Sequence, residues 1–180
     1  YDLYWKDKKT AIDVYGYYPW GQPTEVTAYE LEVQKDQSTE AADGELGGYE
    51  ASDFLWGKAT NVAPTEQVIR LPMKHRMSSA KVVLAEGSGF AEGAWASLSK
   101  QVLVKNVKRN ALINLQNGEV TATGDVFAGG TIPYKKGEEF RAIVVPQQVA
   151  AGTPLFVITV DAINYTFKKE EAFSYTSGKM

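Results

Sequence analysis

The chain contains no cysteine. Disulfides, zinc–thiolate centres and thiol nucleophiles are therefore excluded. It has a single histidine, His75, so no His-rich metal cluster or His–His pair can form. A Ser-His-Asp arrangement would need Ser78 or Ser79, too near His75 in sequence, or a distant serine with no motif around it. His75 reads instead as a strand-end histidine. No apolar run reaches the roughly 18–20 residues of a membrane helix. The longest runs, 142–146 and 155–160, are strand-sized. A large charge excess is missing too. The net charge is −3, which argues against the basic face that nucleic acid requires. Lys6, Lys8 and Lys9 form the densest basic stretch and read as a solvated turn. No signal peptide is visible, and the chain opens on Tyr1, which reads as a processed or trimmed end.

What is present points to β-structure. The 180 residues are 44% hydrophobic, with 16 glycines and 10 tyrosines, enough for one full domain and part of another. Tyr, Val, Ile, Phe and Thr favour a pleated, half-buried surface. The dominant hydrophobic period is two. Thr27, Tyr29, Leu31 and Val33 alternate with Ala28, Glu30 and Glu32. An aromatic strand over 11–18 closes at Pro19. Residues 35–48 are polar and glycine-containing and read as a long loop. Strand character resumes over 51–59. Residues 61–65, with Pro64, are the expected linker between a segment 1–62 and a segment 66–180.

Beyond the linker, Ile69, Leu71 and Met73 share one face of an expected strand whose outer face carries Pro72. Proline cannot donate to a ladder, so an unpaired edge is expected there. Further strands are expected over 80–85, 101–107, 140–145 and 172–175, with a helical turn or covering loop over 90–99. Asn117-Gly118 predicts a two-residue hairpin turn. Its register would place Leu115 opposite Val120 and Ile113 opposite Ala122. Asp161-Ala162 is a second such loop, setting Val160 against Ile163, Ile158 against Tyr165 and Phe156 against Phe167. From Val68 to Tyr175 the spacing of about seven short strands reads as an antiparallel sandwich.

Candidate chemistry is sparse. Glu138-Glu139 and Glu170-Glu171 are the carboxylate doublets, each beside a Lys-Lys pair, and read as solvated turns rather than a glycosidase pair. Asp36, Glu40, Asp43 and Glu45 could offer oxygen ligands to calcium, but without EF-hand spacing. Asn164-Tyr165-Thr166 matches a glycosylation sequon within an expected strand and reads as chance. Tyr15, Tyr17 and Trp20 form a candidate glycan-stacking platform, weighed against ordinary packing in an all-β domain. No metal ligand set, cofactor site or catalytic residue is assigned.

Four motifs, in order, resemble the fimbrillin family, the fimbrillin-A-like and Mfa-like pilins of the Bacteroidales. They are Val14-Tyr15-Gly16-Tyr17-Tyr18-Pro19, then Ser52-Asp53-Phe54-Leu55-Trp56-Gly57-Lys58-Ala59, then Leu71-Pro72-Met73-Lys74-His75-Arg76-Met77-Ser78, and the close from Phe173 to Lys179. The resemblance runs over nearly the whole chain. It implies two transthyretin-like sandwich domains: 1–62 as the C-terminal portion of the first, 66–180 as the second without its last strand. It also implies export as a lipoprotein, anchorage at the outer membrane through a lipid on a preceding segment, and polymerisation by strand exchange. A strand would follow Met180, supplied by further sequence or another chain. The implied partners are other pilin subunits, with host or bacterial glycans or surface proteins as adhesion targets. A sandwich lacking a strand leaves backbone groups open at an edge, which another subunit can fill. Ile69, Leu71, Met73, Phe173 and Tyr175 are the candidate edge residues. The reading is a non-enzymatic structural or adhesive subunit, with a glycan-binding module or tip adhesin as the alternative.

Overall fold

The computed structural model describes residues 4–179; the ends at Tyr1 and Met180 lie outside the described residues. Among the described residues, fourteen strands, one five-residue helix and one 3-10 turn make an all-β fold. In chain order these are β1 (Ile12–Tyr18), β2 (Tyr29–Glu32), α1 (Gly48–Ser52), β3 (Leu55–Val62), β4 (Lys74–His75), β5 (Ser78–Val83), the 3-10 turn Trp95–Ser97, β6 (Lys100–Val104), β7 (Lys108–Asn114) and β8 (Glu119–Val126). They continue with β9 (Tyr134–Lys136), β10 (Glu139–Val144), β11 (Gln147–Val149), β12 (Pro154–Val160), β13 (Ile163–Lys168) and β14 (Phe173–Tyr175). The ladders run β1-β3-β4, β2-β7-β8, β5-β10-β9, β13-β12-β6 and β11-β14, all antiparallel.

β10 is the spine. Its apolar run gives it two buried faces, as a strand covered on both sides must have. Ile143 and the following Val145 enter one core with Val33, Phe54, Trp56, Met77, Ala111, Ile113 and Leu115. Ala142 and Val144 enter the other with Ala80, Val104, Val107, Val149, Leu155 and Tyr175. β2 pairs with β7, and the first core draws on residues from both sides of the boundary expected at 62/66. That boundary does not separate two cores.

Residues 35–48 are tied down. The backbone of Gln37 donates to Ile132, whose own amide donates to Lys35. The fully buried side chain of Gln37 brackets Ile143: Nε2 donates to its carbonyl at 2.8 Å, and its amide donates to Oε1 at 2.7 Å. A side-chain amide here takes the place of a neighbouring strand. Gln34 donates to Ser52 Oγ, which donates to Gly48 at 2.6 Å, fixing α1. Residues 51–52 therefore end a helix rather than begin a strand.

One hairpin matches expectation and the other departs from it. β12–β13 has the predicted register throughout, Val160 opposite Ile163 and Ile158 opposite Tyr165. The loop is two residues long, with Asp161 and Ala162 both at positive φ. In β7–β8, Ile113 faces Val120 and Ala111 faces Ala122, two residues from the predicted alignment. Leu115 is buried in the core, so the loop becomes Leu115–Gly118. A two-residue slip keeps every side chain on its own face, so the alternation alone could not detect it. The Asn114 side chain accepts from the Gln116 amide and Asn117 from that of Glu119. Gly118 sits at φ 73°, and a Cβ there would lie 2.6 Å from the Trp56 ring.

Candidate functional site

The expected edge strand over 68–73 does not form; only Lys74–His75 pairs, against β3. The reason lies in two glycines. Gly16 and Gly57 face each other across β1 and β3, leaving a shelf without side chains. Leu71 and Met73 lie on it: a Cβ on Gly16 would meet Leu71 Cδ1 at 2.8 Å, and one on Gly57 would meet Met73 Sδ at 2.8 Å. Ile69 and Leu71 are half-buried. Leu71 and Met73 cover a sheet face, and neither they nor Ile69 present a ladder edge.

Phe173 and Tyr175 lie on β14, which pairs with β11. Their rings meet edge-to-face at 5.0 Å. Tyr175 is buried in the second core, and its hydroxyl has no hydrogen-bond partner among the described residues. Burial pushes that hydroxyl's pKa up to about 12. Beyond β14 the chain meets the start of β5: Gly178 donates to Met77 at 2.9 Å and Ser79 donates to Lys179 at 2.8 Å. From Lys81 to Val83 the same side of β5 has no backbone partner among the described residues.

The expected aromatic platform is not assembled. Tyr17 belongs to the core, its ring 5.5 Å from Tyr29 and 6.0 Å from Phe54, its hydroxyl donating to the Gly21 carbonyl. Tyr15 lies further along the strand under Lys58 Nζ, 4.8 Å from the ring centre. Lys58 also pairs with Asp13 at 3.0 Å. The Asn61 amide first, and Lys58 second, hold the Asp13 carboxyl below its ordinary value. Trp20 stands apart, 83% exposed. Just after it in the chain lies a depression of about 480 Å³ lined by Gln22, Thr24, Glu25 and Glu30, among others.

His75 Nδ1 is 2.5 Å from Asp53 Oδ2, an exposed pair with no nucleophile bonded to it. Glu138 pairs with Lys100, and Glu139 with Lys81 and Arg141. Asp36 accepts from Ser38. Among the described residues, no group of three or more His, Cys, Asp or Glu side chains could hold a metal ion. No described helix is long and apolar enough to cross a membrane. A feature that the sequence reading did not nominate is β13, exposed at every residue.

Three solved structures, each described as a candidate cell adhesion protein, share the fold. The one from Bacteroides uniformis superposes with a TM-score of 0.68 at 16% identity, covering 92% of this chain and 63% of that one. The one from Bacteroides ovatus gives 0.64 at 16%, covering 92% and 59%. The one from Bacteroides thetaiotaomicron gives 0.59 at 18%, covering 93% and 62%. The chain thus spans about three fifths of the length of these structures. No curated protein matches the chain. The model of the fimbrillin-like family matches residues 1–180, and with the antiparallel all-β fold described above, the chain belongs to that family.

Proposed function

We infer that this chain is a non-enzymatic subunit of a bacterial surface fimbria, lipid-anchored at the outer membrane through a preceding segment and joined to its neighbours by strand exchange on transthyretin-like sandwiches. The observation that carries this reading is the match of the fimbrillin-like family model over residues 1–180 on an antiparallel all-β fold. The outer side of β5, where Met77 and Ser79 pair with residues 178–179, is the edge assigned to strand pairing. An open edge is a template for a strand from another chain. The test is the protein extracted from its native cell surface and run on a gel without boiling. A ladder of multiples is expected, and Lys81→Pro, which removes an outward N–H without touching the β10 ladder, should shorten it. A single monomer band for the unaltered protein would overturn polymerisation.

A second reading has its own observation, the exposed Trp20, followed in the chain by a depression whose lining includes Gln22, Thr24, Glu25 and Glu30. An indole face stacks on sugar C–H groups while neighbouring amides and carboxylates take hydroxyls. On a glycan array, Trp20→Ala should lose all binding while Tyr15→Ala retains it. Absence of any bound glycan for the unaltered chain would remove this adhesin reading.

A further inference from the structure

Among the described residues, β13 is an unguarded edge: it pairs with β12 on one side and with no strand on the other. Natural edge strands are blunted by charge, proline, bulges or a covering element. Between Asp161 and Lys168, β13 has no charge and no proline, and it shows no bulge against β12 from Ile163 to Phe167. Ile163, Tyr165 and Phe167 share one face and are 59%, 48% and 46% exposed.

The directions of the backbone groups follow from the hairpin. Val160 and Ile163 flank a two-residue loop and so bond to each other. Alternation then turns Ile163, Tyr165 and Phe167 towards β12, and Asn164, Thr166 and Lys168 outwards. The Lys169 carbonyl obeys the same parity, accepting from Gly152 on the inner side.

We propose that β13 pairs antiparallel with β13 of a second copy of this chain, about a two-fold axis through Tyr165. In this register Asn164 and Thr166 of the second copy exchange both backbone hydrogen bonds. Tyr165 meets its own copy, and Ile163 meets Phe167 of the second copy, so the apolar face continues unbroken across the axis. Asp161 comes opposite Lys169 of the second copy, placing opposite charges together at both ends. An axis through Thr166 instead would set Asp161 against Glu171 and Ile163 against Lys169, matching neither charge nor polarity. The interface is isologous, as a closed dimer requires, and differs from strand exchange because no strand leaves its own sheet. One pair of edges falls short of the roughly 1,200 Å² of a standard stable interface, so the dimer is weak and reversible.

The absence of native cysteine makes a single engineered thiol informative. At Tyr165 the paired Cα atoms would stand about 4.5 Å apart as a non-hydrogen-bonded pair, inside the disulfide range of roughly 4.4–6.8 Å. Tyr165→Cys should oxidise to a covalent dimer at least about tenfold faster than Tyr15→Cys, also on an exposed strand face, a ratio equivalent to roughly 1.4 kcal/mol. Adding Thr166→Pro deletes an outward N–H that makes no bond to β12, and should abolish the advantage with circular dichroism unchanged. Lys169→Glu, a surface change with little risk to folding, should slow cross-linking by setting like charges together. Equal rates for the two cysteines, or a Tyr165→Cys rate indifferent to Lys169→Glu, would overturn the proposal.

Discussion

Trp56→Ala is expected to cost about 3–5 kcal/mol of stability, the range for emptying a buried aromatic site. Trp56 lies in the first core, and its indole N–H donates to the Leu115 carbonyl at 2.7 Å. The Arg76 guanidinium sits 4.6 Å over its ring, and Gly118 lies against one edge. Truncation therefore opens a cavity, leaves a buried carbonyl unpaired and strips Arg76 of its aromatic partner at once. Urea unfolding should show the midpoint falling with an unchanged slope. Trp56→Phe keeps much of the packing and loses the hydrogen bond, so it should cost distinctly less. A loss below about 1 kcal/mol for the alanine variant, the level of an ordinary surface change, would show that the ring does not organise this core.

Gln37→Leu is the second large effect. The substitution keeps the apolar bulk and removes both hydrogen bonds to Ile143. Each buried backbone group left without a partner costs about 1–3 kcal/mol, so the pair should cost roughly 2–6 kcal/mol. Hydrogen exchange gives a local readout. The Ile143 amide, now without an acceptor, should lose protection beyond what global destabilisation explains, while the amides on the β5 side of β10 should not. Unchanged protection at Ile143 would mean that the bracket holds nothing.

Some of this architecture was legible in the chain and some was not, for identifiable reasons. The β12–β13 register could be read because facing apolar pairs and loop length agree. The β7–β8 alignment could not, because a two-residue slip preserves the pattern and the burial of Leu115 depends on Trp56, 59 positions away. The alternation at Ile69, Leu71 and Met73 is real in sequence. Leu71 and Met73 serve a glycine shelf on β1 and β3, and Pro72, which predicts only an unpaired edge, lies in a segment that forms no ladder. Gln37 was invisible because a polar residue in a polar loop carries no local mark of burial. The aromatic cluster failed as a platform for a similar reason. Proximity in sequence put Tyr15, Tyr17 and Trp20 together, whereas core demand took Tyr17 inward and left Trp20 outside. The open face of β13 could have been suspected from Ile163, Tyr165 and Phe167, but the same three residues read equally well as core.

The spine strand has a mechanical consequence. Because Ile143 and Val145 line one core while Ala142 and Val144 line the other, pulling β10 out of register opens both at once. Under tension, as at a cell surface in flow, resistance depends on the rate of unfolding rather than on equilibrium stability. A shared central strand concentrates that resistance in one event. It favours a fold that stays intact up to a threshold over one that yields by stages.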